Sequence, residues 1–82
     1  MLTTGNQLKA ARALAGMDQS TLAERASVNI NTIGAMEKRG AEVLKSGLDT
    51  IRAVMIVLEA EGIEFLNHGQ PGVRLKAKPG ER

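Results

Sequence analysis

The sequence predicts a mostly α fold: four helices followed by a short C-terminal β-hairpin. Three observations carry this. Apolar residues recur at helical spacing in four separate stretches, bounded by residues that cap or stop helices. After Gly62 the chain changes to short alternating or apolar runs, Ile63-Glu64-Phe65-Leu66 and Val73-Arg74-Leu75-Lys76. Between those runs lies Asn67-His68-Gly69-Gln70-Pro71-Gly72, a cluster of turn formers that would join them as a hairpin.

The first helix runs from about Gly5 to Ala15. Leu8, Ala11, Arg12 and Ala15 follow the i, i+3, i+4, i+7 pattern of one inward face, and Gly16 is its stop. Asp18 is an N-cap, since its carboxylate can accept from the amides of the next turn. The second helix covers about Gln19 to Ala26, with Leu22, Ala23 and Ala26 inward, and Ser27-Val28 form a turn. Asn29 caps the third helix, about Ile30 to Lys38, which turns Ile33, Met36 and Glu37 inward and ends at Gly40. The fourth runs from about Leu48 to Glu61. Ile51, Met55 and Leu58 make one stripe, and Val54, Ile56 and Val57 extend the apolar character around the cylinder. A helix apolar on most sides is covered on most sides, here by a tail or a second subunit. The division is therefore 1–61 for the helices, 62–76 for the hairpin and 77–82 for a flexible basic tail.

Composition bounds the function. A chain of 82 residues is one small domain with a limited core, so a partner subunit is expected. Without Cys there is no disulfide and no thiolate metal site, and the single His68, read as a turn residue, cannot build a zinc or haem site by itself. With no Trp or Tyr and only Phe65, the platforms for stacking single-stranded bases are missing. The longest apolar run, Val54 to Leu58, is far short of a membrane span. The opening MLTTGNQLKA lacks the basic start and apolar stretch of a signal peptide, so a soluble cytoplasmic protein is expected. No nucleophile–base constellation, phosphate loop or metal spacing is present, and Glu59, Glu61 and Glu64 read as a solvated face. Neither an enzyme nor a cofactor is expected.

The formal net charge of +2 is unevenly distributed. Residues 46–66 set Arg52 against Asp49, Glu59, Glu61 and Glu64, whereas residues 67–82 set Arg74, Lys76, Lys78 and Arg82 against Glu81. Arg25, Lys38, Arg39 and Lys45 lie in or near the two central helices. An acidic middle with basic flanks fits one nucleic-acid face and one protein face; ordinary solvated surface is the alternative.

Residues Gln7 to about Leu58 resemble the Cro/C1-type helix-turn-helix family, also called the XRE family, of bacterial and phage regulators. Arg12, Gln19, Leu22-Ala23, Val28, Ile33 and Glu37 carry the resemblance. The hairpin lies outside it, as in short regulators that append a strand pair. Ala23 stands where the second helix crosses closest to the third, and Leu22 and Ile33 fill the wedge. The resemblance implies a buried or half-buried Arg12–Glu37 ion pair, the alternative being that both point to solvent. Two positions depart from the family pattern. Ser27 occupies a turn position that usually holds Gly and often needs positive φ, and Gly34 lies inside the third helix, where it costs about 1 kcal/mol against Ala.

In such a fold the third helix enters the DNA major groove by its N-terminal half. Asn31 is the leading base contact, since its amide can pair with the adenine edge. Ile30 and Ala35 fit thymine methyls, with packing of Ile30 against the turn as the alternative, and Thr32 fits a base edge or a phosphate. Gln19 matches the family glutamine that contacts phosphate. Asn29, Lys38 and Arg39 are further phosphate candidates, although Lys38 and Arg39 could equally be a solvated helix end. A homodimer is expected through helix 4 and the hairpin, with Val54, Val57, Leu58, Ile63 and Phe65 at the subunit interface. The function these readings imply is a sequence-specific regulator, such as a repressor, binding an operator in double-stranded DNA with two half-sites. RNA polymerase or another protein is a further possible partner. The alternatives are an antitoxin that neutralises a partner toxin, or an anti-activator interaction module.

Overall fold

In a computed structural model, which describes residues 1–67 and 69–76, four helices precede a two-stranded antiparallel hairpin. The helices are α1 (Gly5–Ala15), α2 (Gln19–Ala26), α3 (Ile30–Lys38) and α4 (Leu48–Ala60), and the strands are β1 (Ile63–Leu66) and β2 (Gly72–Leu75). His68 and the tail 77–82, with Lys78 and Arg82, lie outside the described residues.

Local chemistry sets each boundary. Thr4 opens α1 with a capping box: its side chain accepts from the Gln7 amide, and the Gln7 side chain accepts from the Thr4 amide. Gly16, at φ 68°, closes it. Asp18 caps α2 by accepting from the Thr21 amide at 2.7 Å, and Asn29 caps α3 by accepting from the Asn31 amide at 2.7 Å. Between α2 and α3, Ser27 takes the left-handed conformation at φ 58°, ψ 41°, the backbone a glycine would adopt without Cβ strain. The fourth helix stops one residue earlier than its apolar pattern suggests, because Glu61 already has φ −89°, ψ 5°. Likewise the second strand spans 72–75 and not 73–76, since Gly72 pairs with Leu66 across the hairpin.

The core draws on all four helices and β1, with Val73 of β2 partly buried against it. Leu8, Leu22, Ile33, Met36, Val54 and Leu58 are fully enclosed, joined by Leu2 and Leu44 from the segments before α1 and α4 and by Ile63 and Phe65 from β1. A bridge between Thr4 and Val43, and a bond from the Leu44 amide to the Thr3 carbonyl, hold those two segments together. Leu2 reaches α4, its amide donating to the Met55 sulfur at 3.4 Å. The cover that the apolar α4 requires thus comes from the chain itself. Ile56 remains outside, 58% exposed. Strand β1 alternates inward Ile63 and Phe65 with half-buried Glu64 and Leu66, the period of two expected of a half-covered strand. Among the described residues no helix is long and apolar enough to cross a membrane.

Candidate nucleic-acid interface

The orientation of α3 is fixed by a polar knot where α1, α2 and α3 meet. Arg12 donates Nε to Glu37 Oε2 at 2.7 Å and Nη2 to Glu37 Oε1 at 3.1 Å, a bidentate pair. Its Nη1 donates to the Met17 carbonyl at 3.1 Å. Gln19 then donates Nε2 to Glu37 Oε1 at 3.1 Å, so one carboxylate gathers side chains from α1 and α2. The Glu37 side chain is 7% exposed and that of Arg12 19%. The hydrogen bond to Glu37 raises the Arg12 pKa, against partial desolvation, and the charges of Glu37 and Asp18 add to it. Below the knot, Leu22, Ala23 and Ile33 pack as an apolar wedge with almost no exposure.

With Ile33, Met36 and Glu37 turned inward, α3 presents its opposite side to solvent. Ile30, Asn31, Ala35 and Lys38 are exposed there, and Thr32 and Gly34 are half-buried. Ile30 is 45% exposed, so it does not bury itself against the turn. Gln19, Ile30, Asn31, Gly34, Ala35 and Lys38 line one shallow hollow. Among the described residues no acidic side chain lines it, and Glu37, behind Gln19, is matched by Arg12. The surface therefore combines an apolar patch, amide groups and one cation.

The other expected contact residues are placed differently. Thr32 does not line the hollow, and Asn29 Oδ1 is engaged as the α3 cap. Arg39 turns toward the connection after α3, donating Nε to the Val43 carbonyl at 3.1 Å and pairing with Glu42 at 3.3 Å. Of the carboxylates read as merely solvated, Glu61 pairs with Arg25 of α2 at 3.1 Å, and Glu64 pairs with Arg74 across the hairpin. The residues expected at a subunit interface lie inside the single chain: Val54 and Leu58 have no exposed surface, Ile63 has 3%, Val57 8% and Phe65 9%. They share one core cluster with Leu2 and Leu44, from segments whose covering role no helical periodicity reveals. The apolar side chains that α4 and β2 leave outside are instead Leu48, Ile56 and Leu75.

Two features escaped the sequence reading. The Thr4-x-x-Gln7 spacing is itself a capping-box signature and could have been read. The Gln19–Glu37 bond could not, because it depends on how α2 crosses the end of α3. Among the described residues, no three His, Cys, Asp or Glu side chains gather as a metal would need. No protein-family model matches this chain, and no curated protein is similar to it.

Proposed function

We propose that this protein is a cytoplasmic, sequence-specific regulator that binds double-stranded DNA through α3, in the manner of the Cro/C1-type family its residues resemble. The observation that carries the reading is the exposed face of Ile30, Asn31, Ala35 and Lys38 on a short helix held from behind by the Arg12–Glu37–Gln19 knot. Direct readout of a major groove uses a protruding helix of defined orientation, with amides for base edges, apolar groups for thymine methyls and cations for phosphates. Each is present on that face, and among the described residues no carboxylate lines the hollow to repel phosphate.

One helix of nine residues reads few base pairs, so the protein acts as a homodimer on two half-sites about 34 Å apart. Leu48, Ile56 and Leu75 replace the five buried residues as the apolar contacts between subunits. The test is selection of bound duplexes from a random pool at near-physiological salt. Enrichment of a motif with two half-sites about one helical turn apart supports the reading. Retention that vanishes with salt and enriches nothing leaves backbone attraction alone and removes it.

A further inference from the structure

Among the described residues nothing requires glycine at position 34. It lies inside α3, where glycine disfavours the helix relative to alanine, and its φ is not positive. A Cβ built there would meet only Gln19 Oε1, at 4.0 Å, an ordinary contact. The contrast with Gly5 is sharp, since a Cβ at Gly5 would stand 2.4 Å from the Met36 carbonyl oxygen. The space beside Gly34 opens onto the hollow.

The chemistry facing that space is set by Glu37. A carboxylate only accepts, so the amide of Gln19 must turn its Nε2 toward Glu37, and its carbonyl oxygen lies beside Gly34. No donor among the described residues bonds that oxygen, and no side-chain acceptor is buried without a partner, so Oε1 meets solvent at the hollow. A phosphate has no hydrogen to offer it. In a major groove the donors are the exocyclic amines, N4 of cytosine and N6 of adenine.

We propose that Gln19 and Gly34 form a base-reading notch, in which Gln19 Oε1 accepts from the exocyclic amine of a cytosine or adenine while Gly34 lets the base edge approach. This rests on the DNA-binding reading above, and it moves Gln19 from the phosphate contact that the family resemblance implies to a specificity-determining one. Asn31 and Lys38 supply donors on the same hollow, and Gln19 Oε1 adds an acceptor whose direction Glu37 fixes.

The test uses the full chain and the duplex it selects from a random pool. Each adenine in that duplex is replaced in turn by purine, and each cytosine by 2-pyrimidinone, which removes only the amine. Wild-type protein is expected to lose about tenfold in affinity at one such position per half-site, the size of one lost hydrogen bond. Gln19→Leu is expected to bind the unmodified duplex about tenfold more weakly and to lose nothing further at that position, a coupling that a merely structural role would not give. Gly34→Met, which fills the notch with a helix-favouring residue, is expected to fold and bind at least tenfold more weakly. Amine deletions that affect wild type and Gln19→Leu alike, or undiminished binding by folded Gly34→Met, overturn the notch and leave DNA binding standing. Failure of the wild type to select any duplex overturns both.

Discussion

The two ends of α1 are tied down by opposite kinds of polar chemistry. At its C-terminal end Arg12 joins Glu37 and, through it, Gln19: a charged knot, partly open to water. At its N-terminal end Gln7, 3% exposed, uses a neutral amide to clip the hairpin. Its Nε2 donates to the Leu66 carbonyl at 3.1 Å, the Gly72 carbonyl at 3.1 Å and Asn67 Oδ1 at 3.3 Å, while Oε1 accepts from the amides of Thr3 at 2.7 Å and Thr4 at 3.1 Å. The knot orients the surface proposed to read DNA, and the clip holds a hairpin that two strands alone would leave marginal. A charge supports orientation where water still reaches; deep inside, a neutral amide satisfies backbone groups without a Born penalty.

The largest expected effect concerns the backbone that both ties presuppose. Gly5 brings α1 against the end of α3, where a Cβ would stand 2.4 Å from the Met36 carbonyl oxygen, 2.8 Å from the Gly40 amide nitrogen and 2.9 Å from the Glu37 carbonyl oxygen. All are backbone atoms that cannot step aside. Gly5→Ala should destabilise the fold by about 3 kcal/mol in urea unfolding, the upper range for overpacking. A loss under roughly 1 kcal/mol would show that α1 can slide along α3, and the comparison of its two ends would lose its common frame.

Next come the ties themselves. Arg12→Met strands the Glu37 carboxylate, whose side chain is 7% exposed, and should cost about 2–3 kcal/mol after allowing for the exposed side of the arginine. Adding Glu37→Met should recover most of that loss. Gln7→Leu deprives two amides and two carbonyls of their shared partner and should cost about 2 kcal/mol, with no single second substitution able to restore it. Hydrogen exchange separates the two: loss of Gln7 should speed exchange of the hairpin amides first, loss of Arg12 those of α3. Uniform acceleration in both variants would mean that the ends are one cooperative unit, dissolving the comparison.

The same pair explains what the sequence disclosed. Arg12 and Glu37 are opposite charges on inward faces of two periodic helices, and the family resemblance implied their pairing where periodicity left exposure to solvent open. Helix limits and the caps at Asp18 and Asn29 were legible because each depends on residues a few positions apart, whereas the left-handed Ser27 was implied by the family pattern. Gln7 was not: its partners Leu66 and Gly72 are backbone carbonyls far along the chain, and a carbonyl has no sequence signature. The same blindness placed Val54, Val57, Leu58, Ile63 and Phe65 at a subunit surface. Apolar spacing says that a face is covered, not whether Leu2 and Leu44 or another chain covers it.

Ser27→Gly lies outside both ties and calibrates them. At φ 58° the serine Cβ is strained, and glycine should raise stability by up to about 1 kcal/mol without altering exchange at either end of α1. A destabilised variant would mean that the glycine's extra freedom in the unfolded chain outweighs the strain relieved.

The smallest effect distinguishes the charged end by pH. Asp18 has a pKa below its ordinary 3.8, first because it accepts the Thr21 amide, and its charge also favours the Arg12 cation. A carboxyl with a depressed folded pKa binds fewer protons folded than unfolded. Its contribution is therefore complete above the unfolded value and drains away as pH falls through 3.8 toward the lower folded pKa. Asp18→Asn keeps the cap oxygen and removes the titration, so its stability should fall less steeply than wild type's over that acid range and differ little from wild type's near neutrality. Gln7 does not titrate, so the amide clip itself contributes no corresponding slope. Identical acid limbs in wild type and variant would assign the cap to hydrogen bonding alone and remove Asp18 from the electrostatics of the charged knot.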